Sequence, residues 1–262
     1  MKILLTNDDG YLATGIREVF SALVNNGHDV TIVAPERNSS GAGQSIAVYN
    51  SISIQKVEDK VYFVTSTPAD SVRLGLQEIY GHESNYPDLV VSGVNLGENL
   101  AEDVLYSGTV GAAREAALHG IRALAFSTNG IGETSGKYDN LDSAALVVAD
   151  LVDRIEQNKK SLPKVFVWNV NIPNISYEDI IGYETTKIGL RPIHQPLMGQ
   201  ITPRNTKIYW QGFSTRPDHA ELGTDLAVFN EQKRVSISPI EIIPNNYTEM
   251  PIIDAIIQEV NK

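Results

Sequence analysis

The sequence predicts an α/β fold: a three-layer α/β/α, Rossmann-like doubly wound sheet with a C-terminal extension of hairpins and one helix. Short runs of consecutive apolar residues alternate with segments whose apolar residues recur at helical spacing, the pattern of parallel strands buried on both faces between crossover helices. With 262 residues, 42% of them hydrophobic, the chain has material for one large core and is not a disordered segment. The alternation stops at about residue 182, and the last eighty or so residues carry short β runs among Pro and Gly.

Taken in order, Lys2–Thr6 is a buried strand, and Ile16, Val19, Phe20, Leu23 and Val24 give the following helix one apolar face, ended near Gly27. Asp29–Ala34, running into Pro35, is the second strand, so the first thirty-five residues form a βαβ unit with parallel strands. Strand-like alternation covers Ser45–Gln55 and Val61–Thr65. Thr67-Pro68-Ala69-Asp70 opens a helix over 68–80, with Thr67 as cap and Pro68 at the first helical position. Asp88–Ser92 is the next strand, followed by a Gly- and Asn-rich loop, Gly93–Gly108, and a small-residue helix from Thr109 to about His119. Ala123–Ser127 and Lys164–Val170 are strands flanking a long helix carried by Leu141, Ala144, Ala145, Val148, Leu151, Val152 and Ile155. Beyond a core of about 1–182, the extension of about 183–262 holds β runs at Lys207–Gln211 and Val235–Ile243. A final helix there carries Ile252, Ile253, Ile256, Ile257 and Val260. No linker or repeat divides the chain, so 1–262 is read as a single domain.

Twenty-one Lys and Arg against 32 Asp and Glu leave a net charge of −11, so duplex nucleic acid is not an expected partner, and an anionic substrate needs a local device to hold it. The absence of cysteine excludes disulfides, thiolate nucleophiles and iron–sulfur clusters. No run approaches the roughly 20 apolar residues of a membrane span, and Ile3-Leu4-Leu5 is too short for a signal segment. A cytoplasmic protein is expected.

In an open α/β sheet ligands bind beyond the carboxyl ends of the strands, where the strand order reverses. Three such ends are polar: Asn7-Asp8-Asp9-Gly10, Glu36–Gly41 and Ser92–Asn95. Asp8 and Asp9 can address one point only if the chain turns, which Gly10 permits. Two carboxylates with hydroxyl and amide oxygens are a hard ligand set, suited to Mg²⁺, Mn²⁺ or Ca²⁺. The competing reading is helix capping, but adjacent carboxylates at a buried rim repel one another and a divalent cation removes that cost. Ser107-Gly108-Thr109, at the start of an Ala-rich helix, is first of all an N-cap; with Asn95 and Asn99 in the same loop it is also a candidate phosphate seat built on free backbone N–H groups. A P-loop fails because Ile16-Arg17 follows Gly15. His28, His82, His119, His194 and His219 lie neither at metal-binding spacing nor beside a nucleophile elbow and read as surface or packing residues, His194 in a loop that can reach a neighbouring site.

The ordered set Thr6-Asn-Asp-Asp-Gly10, Val33-Ala-Pro-Glu-Arg37 with Ser40-Gly41, Thr67-Pro-Ala-Asp70, Val91-Ser-Gly-Val-Asn95 with Gly97 and Asn99, Tyr106-Ser-Gly-Thr-Val-Gly111, and Thr224-Asp225 with Val235-Ser-Ile-Ser-Pro239 resembles the SurE survival-protein family and spans nearly the whole chain. The resemblance implies a divalent-metal-dependent phosphomonoesterase acting on nucleoside 5′- and 3′-monophosphates and, in some members, short polyphosphate. It implies one divalent ion per subunit held by Asp8, Asp9, Ser40 and Asn95, with Asp8 and Asp9 the catalytic carboxylates and Asn99, Ser107, Gly108 and Thr109 lining the phosphate seat. It further implies a homodimer or homotetramer assembled through the C-terminal extension. The alternatives are a non-catalytic nucleotide-binding sensor using the same pocket and a doubly wound glycosyltransferase.

Overall fold

The computed structural model describes residues 1–129, 140–191, 197–211, 220–230, 233–245 and 247–254. The strands are β1 (Lys2–Thr6), β2 (Asp29–Pro35), β3 (Ile54–Glu58), β4 (Val61–Val64), β5 (Leu89–Leu96), β6 (Arg122–Thr128), β7 (Val167–Ile172), β8 (Gly182–Thr185), β9 (Met198–Ile201), β10 (Lys207–Trp210) and β11 (Arg234–Ile240). The helices are α1 (Thr14–Asn25), α2 (Pro68–Leu74), α3 (Asp103–Tyr106), α4 (Gly108–Leu118), α5 (Leu141–Gln157) and α6 (Asp225–Asn230).

Nine strands form one sheet in the order β3-β4-β2-β1-β5-β6-β7-β11-β8. The run from β4 to β7 is parallel, β3 pairs antiparallel with β4, and β11 runs antiparallel to β7. The chain moves outward from β1 through β2 to β4, then returns and moves the other way through β5, β6 and β7. The order therefore reverses between β1 and β5, and that gap is the crevice where ligands of open α/β sheets bind.

Alternate residues of the buried strands serve two cores. Ile3, Leu5, Ile32, Val91 and Phe126 pack against Ile16, Val19 and Leu23 of α1 and Val148, Leu151 and Val152 of α5. Leu4, Val33, Val90, Ala123 and Ala125 pack on the other face against Val72 of α2 and Val110, Ala113 and Ala116 of α4. This is the three-layer arrangement the apolar runs predict.

Two expectations are corrected. Residues 45–53 form no strand, because their backbone is taken by the start of α2: Ala47 N–H donates to Asp70 Oδ2 at 2.8 Å and the Ser45 carbonyl accepts from Thr67 Oγ1 at 2.7 Å. Val48 and Tyr49 are exposed, so the alternation there has no face to bury. The extension is also more than an appendage, since β8 and β11 complete the main sheet and a boundary near 182 falls at the start of β8. Of the described strands, only β9 and β10 stand apart, as an antiparallel hairpin. Residues 250–254 begin the expected last helix, whose remaining residues lie outside those described.

The loop after β2 is locked onto α4. Gly43 N–H donates to the Tyr106 carbonyl at 2.8 Å, and a Cβ on Gly111 would stand 2.2 Å from the Gly43 oxygen. Gly111→Ala is expected to destabilise the fold by about 2 kcal/mol through this clash, measurable by urea unfolding, and to lower activity by lifting the loop.

Candidate active site

The turn after β1 is built by Asn7, whose buried side chain donates to the Gly10 carbonyl at 2.9 Å and accepts from Gly10 N–H at 3.1 Å. Gly10 has φ +103°, a conformation that L side chains rarely adopt. Because the chain turns there instead of continuing extended, Asp8 and Asp9 both stay in the crevice between β1 and β5.

Asp8 is 3% exposed and accepts from Thr109 Oγ1 at 2.5 Å, while the N–H groups of Gly108 and Thr109 also support its charge. Burial nevertheless raises its pKa above the ordinary carboxylate value. Asp9 accepts from Leu96 N–H at 3.2 Å; burial first, and the neighbouring Asp8 charge second, push its pKa up to about 6. Two adjacent acids are thus held where neither has enough positive charge nearby to ionise comfortably. Gly108 makes the close approach possible, since a Cβ there would lie 2.9 Å from Asp8 Cβ and 3.0 Å from its Oδ2.

The loop carrying Ser40 is tied to the same point. Ser39 N–H donates to the Asp8 carbonyl at 2.7 Å, Asn38 Oδ1 accepts from Ser40 N–H at 2.8 Å, and Asn38 Nδ2 reaches Asp9 Oδ1 at 3.5 Å. Asn95, at the end of β5, is anchored through Nδ2 to the Gly97 carbonyl at 2.8 Å, which orients its carboxamide by the nitrogen and leaves the ligating role to the oxygen. Ser107 Oγ accepts from Val110 N–H at 3.1 Å and so caps α4, the bland role expected of it.

The structure therefore brings Asp8, Asp9, Gly108 and Thr109 into direct proximity and ties the segments of Ser40, Asn95 and Ser107 to them. Asn99 stands differently. Its Nδ2 is committed to Ser127 Oγ at 2.7 Å, its N–H to Asn171 Oδ1, and its carbonyl to the side chains of both Asn169 and Asn171. Asn99 is a buried junction whose backbone and one side-chain N–H are committed to β6 and β7, leaving the second Nδ2 hydrogen for any direct share in phosphate binding. Sequence reasoning missed Asn38, Asn169 and Asn171. The available signal was Trp168-Asn-Val-Asn171: polar residues two apart on a strand with both faces buried.

Among the described residues, one cluster of histidine and carboxylates has spacing for a metal ion: His28, Asp153 and Glu156. It lies beyond the amino edge of the sheet, at the start of β2, opposite the crevice. His28 Nε2 is 2.9 Å from Asp153 Oδ1 and Nδ1 is 3.7 Å from Glu156 Oε2. The expectation that His28 packs holds: it is 6% exposed, with the carboxylates of Asp153 and Glu156 beside its ring nitrogens. His194 and His219 lie outside the described residues.

The family model "Survival protein SurE" matches residues 3–195. A 5′-nucleotidase SurE of Nitrosomonas eutropha is 38% identical over 250 residues, covering 95% of this chain and 96% of the relative. A 5′-nucleotidase SurE of Coxiella burnetii is 39% identical over 247 residues, covering 94% and 91%. The crystal structure of the SurE protein from Aquifex aeolicus superposes with a TM-score of 0.83 at 37% identity, covering 98% of this chain and 99% of that one. With matches of that extent in sequence and in fold, the chain belongs to the SurE family.

Proposed function

We propose that the protein is a divalent-metal-dependent phosphomonoesterase that hydrolyses nucleoside 5′- and 3′-monophosphates, and short polyphosphate, to release inorganic phosphate. The observation that carries this reading is the pair of buried Asp8 and half-buried Asp9, adjacent and with raised pKa values at the sheet's switch point against the start of α4. Relatives named 5′-nucleotidase at 38–39% identity support the reaction class.

The donor set fits a hard cation. Asp8, Asp9, the Ser40 hydroxyl and the Asn95 carboxamide oxygen offer oxygen alone, and the raised Asp9 pKa marks a site short of positive charge. One Mg²⁺, Mn²⁺ or Ca²⁺ per subunit, when bound there, supplies Lewis acidity and offsets charge on the phosphoryl oxygens. The chain's own residues do the rest. The N–H groups of Gly108 and Thr109 at the amino end of α4, which support the Asp8 charge in the free chain, turn to a phosphate oxygen when substrate binds, with Ser107 fixing the helix start and Asn99 the loop before it. Thr109 Oγ1, which donates to Asp8, holds that carboxylate in place and can turn its proton to the ester. Asp8 or Asp9 orients and deprotonates the attacking water.

Among the described residues no helix is long and apolar enough to cross a membrane. A cytoplasmic homodimer or homotetramer joined through the extension is part of the proposal, supported by the exposed Met198, Ile201, Tyr209 and Trp210 of the β9–β10 hairpin.

Release of phosphate from AMP with Mn²⁺, abolished by a chelator, is the expected result. Metal-linked nucleotide binding without turnover would indicate a nucleotide sensor instead. Thr109→Val is expected to raise the KM for AMP about tenfold, the value of one hydrogen bond to a charged group. The Mn²⁺ affinity in calorimetry should change less. Equal losses of both would assign Thr109 to holding Asp8 alone.

A further inference from the structure

We propose that Arg191 and Asp225 are positioning residues for the phosphate seat: they hold Leu100–Asp103 in the conformation that sets Ser107, Gly108 and Thr109 against Asp8, so that the tail of the chain supports the chemistry. The inference rests on reading Ser107–Thr109 as that seat.

Both residues come from the last third of the sequence, yet both are buried against the loop that follows β5, Arg191 at 4% exposure and Asp225 at 0%. Arg191 Nη2 donates to Asp103 Oδ2 at 2.6 Å and Nη1 to the Leu100 carbonyl at 3.2 Å. Nη1 also lies 3.2 Å from Glu102 Oε1, and the Arg191 N–H donates to Glu102 Oε2 at 3.1 Å. Asp225 Oδ2 accepts from Ala101 N–H at 2.9 Å, while its Oδ1 accepts from Gly189 N–H at 2.8 Å and Leu226 N–H at 2.9 Å. Four consecutive residues, Leu100 to Asp103, are therefore each gripped by a charged side chain or by the backbone of the tail.

Ala101 shows why such a grip is needed. Its φ is +53°, a left-handed conformation uncommon for a residue with a Cβ, and the bond to Asp225 fixes the N–H that this conformation turns inward. Leu100 and Ala101 also pack with Leu226 and Phe229 of α6 in a separate small core. Packing alone would be served by apolar side chains; burying a carboxylate and a guanidinium costs desolvation that is recovered only through well-placed partners, so these two groups specify a conformation more than they add stability.

The route to the seat is short. The Asp103 carbonyl accepts Ser107 N–H at 2.9 Å across α3, and Ser107 caps α4. A shift at Asp103 is passed through a single turn to the N–H groups proposed to bind phosphate. At the other end of the loop the Asn99 carbonyl is held by Asn169 and Asn171. Asp8 and Asp9 sit on a different element, at the end of β1, in a turn held by Asn7 and Gly10, so metal binding should feel the grip less than phosphate binding does, and only through Thr109, which donates to Asp8.

The test uses the full chain with Arg191→Met and Asp225→Asn. Each is expected to raise the KM for AMP and the Ki of inorganic phosphate at least tenfold, with a smaller loss of Mn²⁺ affinity. Amide hydrogen exchange should quicken in peptides spanning residues 99–110 and stay constant in those spanning 2–10. Adding Ala101→Gly to Asp225→Asn should recover part of the phosphate affinity, because glycine takes φ +53° without the bond. Should Arg191→Met fail to fold, Arg191→Lys, which keeps the charge and loses the fork, is read the same way. Unchanged phosphate affinity and unchanged exchange over 99–110 in folded variants would overturn the proposal, as would a loss of Mn²⁺ affinity larger than the loss of phosphate affinity. If the wild-type chain has no phosphatase activity, the functional reading fails, while the exchange measurement still decides the positioning role.

Discussion

Asp8→Asn is expected to lower kcat/KM for AMP by about three orders of magnitude, about 4 kcal/mol of transition-state stabilisation, with far-UV circular dichroism unchanged. The size of the effect follows from the position of the carboxylate. Asp8 accepts the Thr109 hydroxyl at 2.5 Å and lies against the N–H groups at the start of α4, and in the proposed site it would offer one charge to the cation. The amide keeps the shape and one acceptor while losing the charge. Its nitrogen would moreover present hydrogens to a helix terminus that already carries positive partial charge. The fold should survive, because burial makes the ionised acid costly where it stands and the neutral amide relieves that cost. Turnover within a factor of ten of the wild type would remove Asp8 from the reaction.

The second expected effect is on stability and has the opposite sign from the usual loss of a side chain. The ordinary Asp pKa is 3.8, and in the fold burial and the neighbouring Asp8 raise that of Asp9 to about 6. A carboxyl group with a raised folded pKa leaves stability intact below about pH 4 and subtracts from it as the pH climbs through about 6. A shift of this size would be worth about 3 kcal/mol for a fully buried group; partial exposure of Asp9 reduces that to about 1–2 kcal/mol. In chelator at pH 7.5, Asp9→Asn should therefore melt several degrees above the wild type, and the difference should vanish near pH 4. Added Mn²⁺ should reverse the order, because only the wild type gains from a bound cation. A variant that melts below the wild type in chelator at pH 7.5 would mean that Asp9 is already well paired in the fold.

Much of this could be read from residues alone, for physical reasons that also mark where reading fails. Lys2–Thr6, Asp29–Pro35 and Leu89–Ser92 are legible because a strand buried on both faces must be apolar throughout. The turn that keeps Asp8 and Asp9 together is legible because a glycine just past a strand end permits a conformation that other residues rarely adopt. Ser45–Ser53 misleads because its alternation obeys the strand period, while its backbone partners are the Asp70 and Thr67 side chains, which no periodicity reveals. β8 and β11 join the main sheet through pairings between distant segments, Arg234 with Gly182 and Ser236 with Asn171, that local pattern cannot supply. Asn99 is legible as a polar residue near the site, but its bonds to Ser127, Asn169 and Asn171 on β6 and β7 are not. The grip of Arg191 and Asp225 on the same loop is hidden for the same reason. In each case the missing information is which polar group is already satisfied, and that is a property of the folded chain.

The most direct measurement is an anomalous difference map from crystals soaked in Mn²⁺. A peak in the crevice between β1 and β5, within coordination distance of both Asp8 and Asp9 and lost in crystals of Asp8→Asn, is the predicted result. A crevice without anomalous signal while the crystals bind manganese elsewhere, for instance beside His28, Asp153 and Glu156, would contradict it.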